Sequence, residues 1–180
     1  MRAVSGAKSS LLAVEGQAEY LIVYALARAL GYDLDEQGVS VIDAVNNGHP
    51  ATFAALARAL TIPWIAVLDG DAAGQGYVRG ISERGFDEAF VTQRCITLPR
   101  GNLEQQLLAD GLEAELGGIL QSTGVANALM MDRAALERCL AKNKTLYAAE
   151  LAVQIAANVA LAQRMPQAFR EAIAALRGLT

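Results

Sequence analysis

Histidine, cysteine and proline are scarce in this chain, with one, two and four among 180 residues. The lone His49, in the turn "NNGHPA", cannot build a histidine metal cluster and is read as a structural turn residue. Cys95 and Cys139 stand far apart, in no Cys-x-x-Cys or Cys/His spacing. That excludes a structural zinc site and reads as two reduced intracellular thiols. An excess of basic charge is also missing: 15 Lys and Arg face 19 Asp and Glu, a net −4. Contact with a polyanion then needs a local basic patch or bound cations, because the field of the whole molecule opposes it. No apolar run approaches the ~20 residues of a membrane span. No signal peptide is read near the start, where Arg2, Ser5, Lys8, Ser9 and Ser10 precede an apolar run cut at Glu15. The expectation is a soluble, cytoplasmic protein with no membrane contact.

What the chain has in plenty is core material, with 53% hydrophobic residues. Its first half alternates strand and helix signals. "SLLAV" at 10–14 predicts a buried strand ended by Glu15-Gly16, and a helix follows over 17–30 with Ile22, Leu26, Ala29 and Leu30 at helical spacing. "VSVIDA" at 39–44 predicts a second strand. Pro50 opens a helix to residue 60, whose apolar face is read as Phe53, Leu56 and Leu60. "PWIAVL" at 63–68 predicts the third strand, then come a helix over 76–84 and a fourth strand over 92–98. Strands separated by helices of this length imply a parallel sheet. Beyond Pro99 everything reads as helix: 103–109, 113–121, 132–141, 145–164 and a last one after Pro166. In the long helix, Leu151, Ile155 and Val159 make a packing stripe. The expected fold is α/β, a four-stranded, mostly parallel sheet flanked by helices, with an all-helical C-terminal extension. The division is drawn at 8–110 and 111–180.

Ligands of open parallel sheets collect at the carboxyl ends of the strands. Two acidic groups lie at such ends: Glu15 and Glu19 after the first strand, Asp69 and Asp71 after the third. Gly16 and Gly70 allow tight turns there and keep bulk away from the carboxylates. Hard cations such as Mg²⁺ take oxygen ligands, so two motifs giving three or four carboxylates to one cleft suit them. Taken singly, Glu19 is an acid complementing a helix dipole and Asp-Gly-Asp an ordinary turn. Taken together at two strand ends, they point to a metal site.

"VEGQAEY" at one strand end and "VLDGD" at another resemble the TOPRIM fold of topoisomerases, bacterial primases, RecR-type proteins and the OLD (overcoming lysogenization defect) nucleases. The second glutamate, four residues after the first, makes the OLD group the best match. "LPRGNLEQQLL" resembles that group's segment after the fourth strand, where Glu104 takes the place of a further metal ligand, with Asn102 as a polar assistant. "KNKTLYAAELA" resembles a late helix start that places Lys144 as the catalytic lysine, with Lys142 as the alternative. The resemblance implies a Rossmann-like TOPRIM domain that cuts DNA as a Mg²⁺- or Mn²⁺-dependent endonuclease using two ions. Glu15 with Asp69 or Asp71 would hold one ion. Glu19, Glu104 and a shared aspartate would hold the other, and Lys144 would neutralise the phosphate. It also implies an N-terminal ABC-type ATPase that this stretch does not contain. The exposed side of the Ala/Leu-rich tail helices would offer a face for that ATPase or for a homodimer. A non-catalytic TOPRIM-like module for nucleic-acid binding or assembly, and a TOPRIM ribonuclease or primase-type enzyme, are the alternatives.

Two further motifs fall short of a site. "GQGYVRG" at 74–80 has dinucleotide-site spacing, but the next strand ends "ITLPR" without the acid that would hold a ribose. "GAKSS" echoes the tail of a phosphate-binding loop, but GxxxxGK[ST] is absent, so no ATP site is expected. Arg79, Arg84, Arg94 and Arg100 flank the acidic region in sequence and are read as solvated faces or the wall of a DNA path.

Overall fold

The computed structural model describes residues 10–179. The expected domain start at residue 8, and residues 6–9 of "GAKSS", lie outside them. Among the described residues, β1 (Ser10–Val14), β2 (Val39–Asp43), β3 (Trp64–Leu68) and β4 (Cys95–Thr97) form one sheet in the order β2-β1-β3-β4. Its three pairings are all parallel, and Val14 of β1 lies between Asp43 of β2 and Val67 of β3.

The pleat sorts side chains between two faces with period two. Leu12, Val14, Ile65 and Val67 join one core, while Ala13, Trp64, Ala66 and Leu68 join the other. Both faces are covered, which is why β3 reads as an unbroken apolar run rather than an alternating one. The first core is built by α1 (Gln17–Ala29), α5 (Leu103–Ala109), α6 (Glu113–Ser122), α7 (Arg133–Lys142), α8 (Lys144–Ala157), α9 (Val159–Arg164) and α10 (Gln167–Arg177). The second is built by α2 (Pro50–Ala59), α3 (Ala72–Ser82) and α4 (Glu88–Arg94). The C-terminal helices are part of the main core: α8 packs along α1, and α10 packs on β3 and β4.

Four expectations need correction. The helix after β3 starts at Ala72 rather than 76, because Asp71 caps it by accepting from the Ala73 and Gly74 N–H groups. Residues 92–94 belong to α4, capped by Asp87, so the fourth strand keeps only three residues. The long helix over 145–164 breaks at Asn158, whose side chain accepts from Ala160 and Leu161 and restarts the chain as α9. Val159 consequently leaves the stripe of Leu151 and Ile155 and is exposed. In α2 the face turned inward is Ala51, Ala54 and Ala57, and Leu56 and Leu60 point to solvent. Small residues win there because the helix lies close to its neighbours.

Close backbone approach also explains two glycines. The Gly70 N–H donates to Gly101 O at 2.8 Å, tying the end of β3 to the loop after β4. A Cβ on Gly70 would lie 1.9 Å from Leu98 O, and one on Gly74 would lie 1.9 Å from Asp69 O. Gly70 therefore permits the contact between two loops rather than clearing space among carboxylates, and Gly74 permits α3 to start against β3.

Gly70→Ala is expected to cost about 1–3 kcal/mol or more, because backbone must move to admit the methyl. Gly118, in α6, has open space where its Cβ would stand. Gly118→Ala is expected to stabilise by roughly 0.5–1 kcal/mol. Urea unfolding of the two variants beside the parent measures both.

Candidate metal centre

Between β1 and β3 the strand order reverses direction, since β1 leads outward to β2 and β3 leads the other way to β4. Such a switch point leaves a crevice at the carboxyl ends of the two strands. Glu15 and Asp69 are the first residues past those ends. The Asp69 N–H donates to Glu15 Oε2 at 2.8 Å, fixing the two strand ends to each other. Glu19 lies in the first turn of α1 and is buried. A Cβ on Gly16 would come within 3.0 Å of Glu19 Oε2, so glycine at this position keeps the Glu19 carboxylate unobstructed. Asp71 stays exposed, and its cap on α3 uses Oδ1.

Glu104 arrives from a different direction. The clasp between Gly70 and Gly101 brings the loop after β4 onto the end of β3. Asn102 then starts α5 with a capping box, accepting from Gln105 N–H while the Gln105 side chain accepts from the Asn102 N–H. Asn102 is thus committed to the helix cap. Two residues on, Glu104 is fully buried. It meets α8, where Lys144 Nζ lies 3.3 Å from Glu104 Oε1 and the Tyr147 hydroxyl donates to the same oxygen at 2.9 Å. Lys142 lies exposed in the last turn of α7. Helix placement therefore separates the two lysines that the sequence left open: Lys144 is the one beside the carboxylates.

These groups sense one another. The Asp69 carboxyl is pushed up to about 8, first by burial and then by repulsion from Glu15, Glu19 and Asp71, with Lys144 opposing. Glu19 is pushed up to about 7, chiefly by burial, against its own backbone N–H and Lys144 and with further repulsion from Glu104 and Glu15. Glu15 is raised by burial, which outweighs the hydrogen bond from Asp69. Burial pulls the Lys144 ammonium down, but Glu104, Glu19 and Asp69 outweigh it and its net shift is upward. Fully ionised, the cluster would hold more negative charge than one lysine neutralises.

Two carboxylate oxygens in it, Asp69 Oδ1 and Glu104 Oε2, are buried without a hydrogen-bond partner. Such an orphan costs about 1–3 kcal/mol, more for a charged group, unless a partner is supplied. A hard cation with oxygen ligands is the partner that suits this donor set. The set is not closed, however. Among the described residues no three His, Cys, Asp or Glu side chains stand as a ready ligand group. Glu15 is turned to the Asp69 N–H and Asp71 to its cap, so ligation by these two requires side-chain rotation, whereas Glu104 keeps its Oε2 unpartnered.

The other candidates are engaged elsewhere or exposed. His49 accepts from Ala51 N–H as the cap of α2, with Tyr77 edge-on to its ring. Arg94 stacks over Phe90, which lines an apolar cavity of about 530 Å³ with Trp64 at the amino end of β3. Arg79, Arg84 and Arg100 are exposed. Tyr147 and Tyr77 are the neighbours that sequence reading missed; the Tyr77 hydroxyl is raised by burial and by Glu15, Asp71 and Asp69. For Tyr147 a signal existed, since it stands three residues after Lys144 on the same helix face.

Comparison with known proteins bears on the fold and on the acidic motifs. The family model "Overcoming lysogenization defect protein-like, TOPRIM domain" matches residues 7–71, a span that includes Glu15, Glu19, Asp69 and Asp71. The uncharacterized protein YbjD of Escherichia coli (strain K12) is 30% identical over 101 residues, which is 56% of this chain and 18% of that protein. The chain thus spans less than a fifth of the curated relative. The C-terminal region of the Burkholderia pseudomallei OLD protein superposes with a TM-score of 0.71 at 20% identity, covering 96% of this chain and 98% of that one. The C-terminal region of the Xanthomonas campestris pv. campestris OLD protein gives 0.70 at 21% identity, covering 94% and 95%. None of the described helices is long and apolar enough to cross a membrane. Residues 7–71 therefore resemble an OLD-like TOPRIM domain, in a chain that has the fold of the OLD C-terminal region.

Proposed function

We propose that this chain is the nuclease part of an OLD-family protein, a Mg²⁺- or Mn²⁺-dependent endonuclease that hydrolyses DNA phosphodiester bonds with two ions. One observation carries the reading: carboxylates from two strand ends and two helices meet at the sheet's switch point, and two of their buried oxygens lack a partner. Residues 8–110 form the catalytic domain in this reading and 111–180 a helical extension packed on it. The extension contributes Lys144 to the site. DNA is the substrate, an ABC-type ATPase elsewhere in the protein is the partner, and the cytoplasm is the compartment.

Glu15 with Asp69 or Asp71 would hold one ion, and Glu19, Glu104 and a shared aspartate the other. Bound there, the ions would lower the pKa of a water and neutralise charge on the phosphate oxygens. The chain's own contribution is placement. β1 and β3 fix Glu15 and Asp69, and the first turns of α1 and α5 carry Glu19 and Glu104. Lys144, with a half-exposed side chain, is able to reach the phosphate and meet the charge that grows there in the transition state.

Purified protein is expected to nick or cut supercoiled plasmid with Mg²⁺ or Mn²⁺ and not with EDTA. Asp69→Asn is expected to lower the rate roughly 10²–10³-fold, the scale for losing one electrostatic contributor at an active site. Equal cutting by that variant, or cutting confined to RNA or nitrophenyl phosphate, would sink the assignment.

The raised carboxyls give a second test. An acid whose folded pKa lies above its unfolded value stabilises the fold below the unfolded value and loses that contribution as pH rises to the folded one. For Glu19 and Asp69 the window runs from about 4, the ordinary carboxyl range, to about 7 and about 8. The melting temperature of metal-free protein should therefore carry a component that falls across this window. Glu19→Gln with Asp69→Asn should remove that component, and Mg²⁺ should raise the melting temperature of the parent most at the alkaline end.

A further inference from the structure

Glu104 stands out among the carboxylates because it is fully buried and has two partners on one oxygen. The partners differ in kind. Lys144 reaches Oε1 with a side chain that is 49% exposed, whereas Tyr147 is fully buried. Both come from the first turn of α8, three residues apart and so on one face. The remaining oxygen, Oε2, is buried with no partner. A lone Lys–Glu pair would lose its hold on the carboxylate whenever the lysine turned toward a phosphate. The tyrosine has no such freedom, because it is fully buried in the main core.

We propose that Tyr147 is the positioning residue for Glu104. Its hydroxyl holds Oε1 so that Oε2 stays available to a divalent cation and Lys144 is free to leave for the phosphate. The inference rests on the metal-dependent reading above and adds to it a residue that touches neither ion nor substrate. Its chemistry is that of an outer partner that orients a ligand by hydrogen bonding. In this arrangement Glu104 offers a single oxygen, Oε2, because Oε1 remains bound to Tyr147.

The test is Mn²⁺ binding by titration calorimetry on the parent, Tyr147→Phe, Glu104→Gln and the double variant, with melting temperatures taken in the absence of metal. Tyr147→Phe keeps the ring, so its metal-free melting temperature should stay near the parent's while Mn²⁺ affinity falls about tenfold or more, the scale for losing an outer-shell partner. In the Glu104→Gln background the same change should have no further effect on affinity. Equal affinity in Tyr147→Phe and parent overturns the inference, and so does an equal loss with and without Glu104. If the parent takes up no Mn²⁺ or Mg²⁺, the proposed function itself fails and this inference goes with it. Should Tyr147→Phe not fold, NMR of the parent decides. A Tyr147 hydroxyl proton that stays hydrogen-bonded at saturating Mg²⁺, while the Lys144 side-chain signals shift, supports the inference. Loss of that hydroxyl resonance on Mg²⁺ binding overturns it.

Discussion

Burial of several carboxylates together at one end of the sheet is the constraint on which the rest of this molecule depends. Glu15, Glu19 and Asp69 all have their carboxyls raised, and each is raised by burial and by the others or their neighbours. A fold selected for stability alone has no reason to bury acids beside acids, because replacing them with apolar groups of similar size would remove the repulsion. The surrounding structure answers the repulsion in three ways: a backbone N–H from Asp69 to Glu15, the Lys144 ammonium, and the Tyr147 hydroxyl. Two buried oxygens remain unanswered, and that deficit is what a divalent cation would fill.

Each of those answers comes from a distant part of the chain. Glu15 and Asp69 meet because β1 and β3 are neighbours at the point where strand order reverses. Glu104 meets them because Gly70 and Gly101 lie close enough for a backbone hydrogen bond, a contact that a Cβ at residue 70 would forbid. Lys144 and Tyr147 meet Glu104 because α8 packs along α1 and starts beside α5. The C-terminal helices are thus more than a cover for the sheet, since their first turn completes the charge balance of the cluster.

Much of the frame was legible locally. Short strands rich in apolar residues alternating with helices specify βαβ units, and β1 and α5 begin and end where the sequence pattern puts them. Misreadings arose where a local cue competed with a longer pattern. Asp71, Asp87 and Asn158 each start a helix through their side chains, and none was read as a cap. The inward face of α2 was misread because close packing favoured alanine over the larger Leu56 and Leu60.

For the site, the sequence by itself determined which side chains are available: the acids after two strands, the glycines between them, and a lysine before an apolar helix. Residue type and distance from a strand end are properties of a linear pattern, so they can be read without a fold. Only the tertiary structure decided that Lys144 rather than Lys142 stands at the carboxylates and that Tyr147 holds Glu104. Those outcomes depend on the angle and register at which α5 and α8 meet. Packing across more than forty residues of sequence sets that meeting, as the separation of 43 between Glu104 and Tyr147 shows.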